Sequence, residues 1–452
     1  MRGEVRRPLR LALALLVVLV AGPAGAQPCP ECLQAGAARV TLRVPAGAPL
    51  AGYGALARRL LVPDVLGRHP HAFWLEPSVG ERDPLAARAL VLESAGRRVA
   101  WVAADLLAVD GTFVADVGRR LADAGVAPAV LIVSPSHTHS GPGGYVDSAV
   151  LGWLALDRVD LVVREALLES VVTAVRQADA NRRPARVAAA SVAAPNVAKS
   201  RLDQALDPAL SLLKVTDADH QPVAVVWNYA IHGTTLGPRN RRLSGDVMGE
   251  ASRRLERALG VPALFVNGAV GDVSPARHGE RATADLGAAL AAAAQAAWAQ
   301  AVPVARPTLR VDTRTAALPS PWLPARNCLR GWAPAALTLP LGGVLPREAT
   351  LTAVALGDVG WVTFPGELQT ALGQGIKRAA GAHLRHVLVA GLSNDYLGYF
   401  TTADDYTRPS YVSCTTLYGP HAGACLADVA ADLLGAVARG ERAPAEPAAC
   451  DR

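Results

Sequence analysis

The run Pro128-Ala-Val-Leu-Ile-Val133, continuing into Ser134-Pro-Ser-His-Thr-His-Ser-Gly-Pro-Gly-Gly-Tyr145, decides how this chain is read. Six mostly apolar, partly β-branched residues bounded by turn formers read as a buried strand that ends in a loop. If the backbone stays extended past the strand, His137 and His139 point to the same side. Two imidazoles at a strand end that opens into a Gly/Pro loop suit metal binding or proton transfer. An ordinary loop histidine would look the same, so the rest of the sequence has to decide.

The pattern repeats along the chain. Strands are expected at 98–104, 129–133, 210–215, 223–230, 263–266, 351–356, 360–364 and 387–390. Between them, amphipathic or Ala-rich helices are expected at 113–124, 161–178, 246–259, 282–301, 368–380 and 426–439. Alternation of this kind specifies an α/β fold: mixed β-sheets packed in layers with outer helices. Sites in such folds gather at the carboxyl ends of strands. Residues 302–347 are Pro-rich without clear periodicity and read as a long surface excursion. With no internal repeat and no composition break, one large catalytic domain spanning 40–440 is expected, followed by a tail at 441–452.

The ends of the chain bear on location. Arg2, Arg6, Arg7 and Arg10 precede an apolar run at 11–20, and Ala24-Gly-Ala26 forms an A-x-A site, so residues 1–26 read as a cleaved export signal. The run is short for a membrane-spanning anchor. A periplasmic or secreted protein is expected, with a mature N-terminal segment at 27–39. Its six cysteines then suggest disulfides: Cys29 with Cys32 as a local staple, and Cys414 with Cys425 as a second bridge. The net charge of +6 comes from scattered arginines, and no aromatic-basic motif accompanies them, which gives no support to a nucleic-acid partner.

Other strand ends supply further donors. His232 follows the strand at 223–230, Glu367 follows Phe364-Pro-Gly, and Tyr399 closes the loop after 387–390. Asn267-Gly-Ala-Val-Gly-Asp-Val-Ser-Pro275 places Asp272 and Ser274 at the end of another strand. This is not G-x-S-x-G, so a nucleophile-elbow serine hydrolase has no support. Nitrogen and oxygen donors of this kind suit Zn²⁺, although they are dispersed rather than held on one H-E-x-x-H helix.

Seven motifs occur in the order found in neutral/alkaline, non-lysosomal ceramidases, which the chain resembles over about residues 40–435. They are Ser136-His-Thr-His-Ser-Gly-Pro-Gly-Gly-Tyr145, Ala230-Ile-His-Gly-Thr234, Gly271-Asp-Val-Ser-Pro275, Phe364-Pro-Gly-Glu367, Gly391-Leu-Ser-Asn394, Tyr399-Phe-Thr-Thr402 and Thr416-Leu-Tyr-Gly-Pro-His421. Ala51-Gly-Tyr-Gly54 and Ala104-Asp-Leu106 agree less specifically. The resemblance implies hydrolysis of the amide of N-acyl sphingosine with one zinc, held by His137, His232, Glu367 and Tyr399. It places His139 beside the reacting amide, and His139 is the candidate proton donor to the leaving amine. Tyr399 is a candidate for stabilising the oxyanion, and Ser274 matches an active-site serine. Where the family has Asn-Arg-Ser-Pro, this chain has Asn196-Val-Ala-Lys-Ser-Arg201, so Lys199 or Arg201 is expected to supply the basic group that meets substrate. A carboxylate behind a ligand histidine is expected from Asp105, Asp246 or Asp272.

No counterpart of the family's C-terminal immunoglobulin-like β domain is expected, which leaves membrane engagement and ceramide specificity open. A peripheral membrane contact and a lipid-like amide substrate remain the expectation. The alternatives are a zinc amidase for a smaller, non-lipid amide and a non-catalytic zinc- or lipid-binding protein of the envelope.

Overall fold

The computed structural model describes residues 32–451. Two β-sheets lie face to face and helices cover both outer surfaces, the layered α/β arrangement expected. The larger sheet has the strand order Val130–Pro135, Arg97–Ala104, Ala86–Ser94, Gln34–Thr41, Arg183–Ala193, Ala209–Asp217, Pro222–Tyr229, Ala263–Asn267, with Val302–Pro303 added against Arg183–Ala193. The smaller runs His386–Gly391, Val359–Phe364, Glu348–Leu356, Leu309–Ala317, Ala448–Ala449.

Side chains alternate across each strand, so both sheets send one row inward to a shared core. Leu90, Trp101, Val187, Leu213 and Leu264 from the large sheet meet Val354, Trp361 and Leu388 from the small one. Trp101 and Trp361 stack across this interface with ring centroids 4.7 Å apart. The outer face of the large sheet packs against helices Gly111–Asp123 and Leu161–Ala180 on one half, and Asp246–Leu259 and Glu280–Gln300 on the other. Thr370–Ala380 and Ala422–Arg439 cover the small sheet. Asp110 and Asp160 cap two of these helices by accepting from the free N–H groups of the first turn.

Parallel pairs within the two sheets include Arg97–Ala104 with Val130–Pro135, Pro222–Tyr229 with Ala263–Asn267, and Val359–Phe364 with His386–Gly391. The large sheet bends where Gln34–Thr41 meets Arg183–Ala193, because only Gln34↔Pro184 and Ala35↔Arg183 pair there. Its two edges then converge at the strand ends. Asn267 Nδ2 donates both to Ser136 O at 3.2 Å and to Ile231 O at 3.0 Å, and Thr138 bridges Gly233 in parallel register. Asn394 ties in the small sheet, its Oδ1 accepting from Val133 N at 2.7 Å.

Several boundaries differ from expectation. Strand Gln34–Thr41 is continuous with the sheet, so the expected domain start at residue 40 falls inside a structural strand. The 302–347 excursion contains strand Leu309–Ala317, paired along its whole length with Glu348–Leu356. The expected tail at 441–452 is also part of the fold. Ala448–Ala449 joins the small sheet, and Cys450 is disulfide-bonded to Cys425. Cys414 pairs with Cys328 instead of Cys425, because its short helix Tyr411–Cys414 packs on Ala325–Cys328. Cys32 is disulfide-bonded; Cys29 and the export signal lie outside the described residues.

Candidate metal centre

The strand that carries the first histidine ends at Pro135, and the backbone does not stay extended. His137 sits at φ 68° in the left-handed region, which costs a non-glycine residue about 1 kcal/mol or more and must be enforced by its surroundings. Its N–H donates to Leu106 O at 2.9 Å, and its ring Nδ1 faces Leu107 O at 2.9 Å. The ring is thereby aimed with Nε2 toward the site. His139 N donates to Gly233 O at 2.9 Å, which docks this loop on the one carrying His232. Only glycine allows the approach: a Cβ at Gly233 would lie 2.6 Å from His137 O, Thr138 Cα and Met248 Cε.

The other pair of donors comes from a two-residue ladder. Glu367–Leu368 pairs in parallel with Tyr399–Phe400, with Glu367 directly opposite Tyr399. Glu367 therefore lies in a strand, and the helix expected to begin beside it starts at Thr370. Tyr396, one turn of loop earlier, donates its hydroxyl to Glu367 Oε1 at 2.7 Å.

Donor atoms of four residues converge in this buried space. His137 Nε2 lies 3.2 Å from His232 Nε2 and 3.3 Å from Glu367 Oε1. His232 Nε2 lies 3.0 Å from Glu367 Oε2 and 3.4 Å from Tyr399 Oη. A tetrahedral ion with bonds of about 2.0–2.1 Å separates its ligands by roughly 3.3 Å, the spacing seen here. Glu367 Oε2 is buried, yet it receives no hydrogen bond of acceptable geometry despite the nearby ring nitrogen. Lone pairs facing one another around a common point, with orphaned buried acceptors, are what an absent cation leaves unexplained. His139 also belongs to the cluster: ligand atoms of His137, His139 and His232 lie within 4.8 Å of one another. The residues present fit a metal ion.

Electrostatics favour the same state. Burial, with Arg201 next, pushes the His232 ring down to about 3, which leaves its nitrogen unprotonated and free to bind. Burial and the two neighbouring histidines lower His139 well below its ordinary value, and neither of its ring nitrogens has a hydrogen-bond partner. Burial raises the Glu367 carboxyl, but the pull of His137 and His232 outweighs it and holds the group well below the carboxylate range. Burial and Glu367 together raise Tyr399 far above an ordinary phenol, with Arg201 opposing them.

Of the two basic candidates, Arg201 reaches the site and Lys199 does not. Arg201 Nε donates to Ser274 Oγ at 2.8 Å and Nη1 to Tyr399 Oη at 3.1 Å. Lys199 is exposed, paired with Ser274 only through the backbone ladder of Ala198–Ser200 and Val273–Pro275. None of the three acids orients a histidine. His137 is oriented by the Leu107 carbonyl, and His232 Nδ1 is without a partner. Asp105 is taken up by Arg88 at 3.0 Å and by Ala86 N. Asp246 accepts from Thr235, Leu236 and Val247, and Asp272 accepts twice from Thr370. All three brace loops around the site.

The sequence assigned no site role to Tyr396, nor to Tyr53 of Ala51-Gly-Tyr-Gly54, whose ring lies 4.9 Å from that of His139. Nor did it point to Arg58, buried behind that loop and donating to His139 O at 3.1 Å. Lone tyrosines and arginines carry no local signal for such contacts.

Comparison with known proteins bears on this geometry. The family described as neutral/alkaline non-lysosomal ceramidase, N-terminal, matches residues 76–296 and 337–427. The chain belongs to the neutral/alkaline non-lysosomal ceramidase family. As a member of this ceramidase family it is a hydrolase. Pseudomonas aeruginosa neutral ceramidase is 24% identical over 461 residues, covering 80% of this chain and 68% of that protein. The crystal structure of neutral ceramidase from the same organism superposes with a TM-score of 0.79 at 22% identity, covering 92% of this chain and 76% of the other. A ceramidase complexed with C2 superposes with a TM-score of 0.78 at 21% identity, covering 92% and 77%. At these identities the structures establish the ceramidase fold. The unmatched residues 297–336 run from the last turn of helix Glu280–Gln300 into the Pro-rich excursion, and the match resumes within it.

Proposed function

We propose that the protein is an exported, zinc-dependent amidohydrolase that cleaves N-acyl sphingosine, or a related N-acyl lipid, to a fatty acid and an amine. One observation carries the reading: in a buried site, donor atoms of His137, His232 and Glu367, from separate strand ends, lie 3.0–3.3 Å apart, and Tyr399 Oη lies 3.4 Å from His232 Nε2. The names and folds of the relatives support ceramide as the substrate class. The disulfides Cys328–Cys414 and Cys425–Cys450 support an oxidising, extracytoplasmic location.

In this reading the four residues hold one zinc, which supplies an acidified water and a polarised carbonyl when bound. The remaining work belongs to the chain. Arg201 fixes the phenolic oxygen of Tyr399 and places a cation beside the negative charge that develops on the amide oxygen. Its second donor is spent on Ser274, which holds the guanidinium plane in position. His139 stands next to the donor set with both ring nitrogens free. It takes a proton from the attacking water and returns it to the amine nitrogen, without which that nitrogen is a poor leaving group.

The test is metal analysis joined to fatty-acid release from ceramide, with and without chelator. One zinc per chain and chelator-sensitive release are expected. Full activity in protein stripped of metal, or in His137→Ala, would refute the assignment.

A further inference from the structure

The exposed large apolar side chains of this protein are not scattered. Among the described residues most of them fall on two segments, 56–66 with its neighbours 153–162, and 329–344. Leu61 is fully exposed, and Val65, Leu66 and Trp332 are more than two-thirds exposed. Soluble surfaces seldom gather side chains of this size, and such patches mark interaction sites.

Both ridges are braced to the rim of the site. In the first, Arg59 stacks over the Trp153 ring at 4.9 Å and donates to the Trp153 carbonyl, joining loop 56–66 to 153–154. Arg58 from the same loop holds His139 O, and Tyr53 covers the His139 ring. The second ridge is tied to the helix of Tyr411 by the Cys328–Cys414 disulfide and by Asn327 Nδ2 donating to Ser413 O at 3.5 Å, and to the neighbouring Tyr406 O at 2.9 Å. The Tyr411 ring lies 5.7 Å from Tyr399. The two ridges thus reach the same donor cluster, one through Tyr53 on His139 and the other through Tyr411 on Tyr399, and His139 and Tyr399 both adjoin His232.

Their charge has one sign. No acidic residue occurs between Asp312 and Glu348, a stretch that carries Arg314, Arg326, Arg330 and Arg347. In the first ridge Arg68 is exposed, while the acids are turned onto backbone N–H groups: Asp64 onto Arg68 and His69, Asp157 onto Phe73 and Leu75, and Asp160 onto Val162 and Val163. Apolar side chains interleaved with arginines match the interface of an anionic bilayer, where the apolar groups enter the acyl boundary and the cations meet headgroups. None of the described helices is long and apolar enough to cross a membrane.

We infer that the 56–66/153–154 and 329–344 ridges form a collar that seats the site mouth on an anionic lipid surface, so that an N-acyl lipid passes from bilayer to site without crossing water. The purpose of the collar rests on the lipid-hydrolase reading; the surface itself does not.

Flotation with phosphatidylcholine vesicles, with and without phosphatidylglycerol, tests the collar in the full mature chain, alongside turnover of a short-chain, monomeric N-acyl amine. Wild type is expected to float with the anionic vesicles. Leu61→Asp/Leu66→Asp and, separately, Trp332→Asp should weaken binding about tenfold or more, as loss of buried apolar side chains requires. Both variants should release less fatty acid from vesicle-embedded ceramide and keep wild-type turnover of the soluble amide; Leu61→Ser/Leu66→Ser serves as a milder pair with wild-type melting. Unchanged flotation of the variants, failure of wild type to bind, or burial of the ridges in a stable dimer by sedimentation would overturn the inference. Vesicle binding lost in the variants, with every amide left uncut by wild type, would sink the hydrolase reading and leave the collar standing.

Discussion

Tyr396→Phe removes one oxygen atom from the site and nothing else. The hydroxyl donates to Glu367 Oε1 at 2.7 Å, and that same oxygen stands 3.3 Å from His137 Nε2, so the tyrosine sets which way the carboxylate faces. Both groups are buried, and water cannot easily replace the lost donor. A hydrogen bond to a charged acceptor contributes about 1.5–3 kcal/mol. At 1.4 kcal/mol per factor of ten, zinc affinity should fall about 10- to 100-fold, the range typical when a group behind a metal ligand is deleted. The ring keeps its packing, so unfolding of the metal-free protein should change little. Competitive titration of zinc against a chromophoric chelator measures the affinity, with melting of the metal-free form as control. An affinity within about threefold of wild type would refute the role given to this bond.

Arg201→Ala should lower kcat/KM for amide cleavage about 10²-fold, as expected for a lost charge-stabilising donor, while one zinc per chain remains by metal analysis. Loss of the metal instead would make Arg201 a structural residue. Replacing Cys328 and Cys414 by serine opens a loop of sequence separation 86 and should cost about 2–5 kcal/mol in denaturant unfolding; an unchanged midpoint would contradict it. Burial raises Asp405, but Gln369, Gln204 and Thr402 more than offset this and hold its folded value below the ordinary 3.8. The stability it contributes is therefore present above about pH 4 and disappears as pH falls through the folded value. Asp405→Asn should flatten the urea stability profile in that acid window and destabilise the protein at neutral pH; a profile parallel to wild type at all pH values would disprove the linkage.

What the sequence revealed depended on how local the cause was. The strand ends carrying His137, His232 and Glu367 were visible because Val, Ile and Trp runs stop abruptly at Gly and Pro. Strands Gln34–Thr41 and Arg183–Ala193 were missed because they are built largely from Ala, Gly and Arg, which lack β propensity. Their small side chains are accepted because the neighbouring layers supply the packing. The approach of His137 to His139 was expected from an extended chain and arises instead from a left-handed residue held by Leu106 and Leu107, two carbonyls far away in sequence. Choosing Arg201 over Lys199 likewise required the register of a short ladder, in which residue 199 faces Ser274 through the backbone while residue 201 turns inward. The disulfides followed helix packing at 325–328 and 411–414, which spacing along the chain does not encode.

The four donors divide evenly in the order of synthesis. His137 and His232 precede the other two by more than 130 residues, whereas Glu367 and Tyr399 become neighbours only when their two-residue ladder closes later in the chain. On the proposed assignment, a chain still being made therefore lacks a complete set of ligands. Ion capture would then report completion of the fold, because the ladder that sets Glu367 opposite Tyr399 closes only when the segments carrying residues 367 and 399 are both in place.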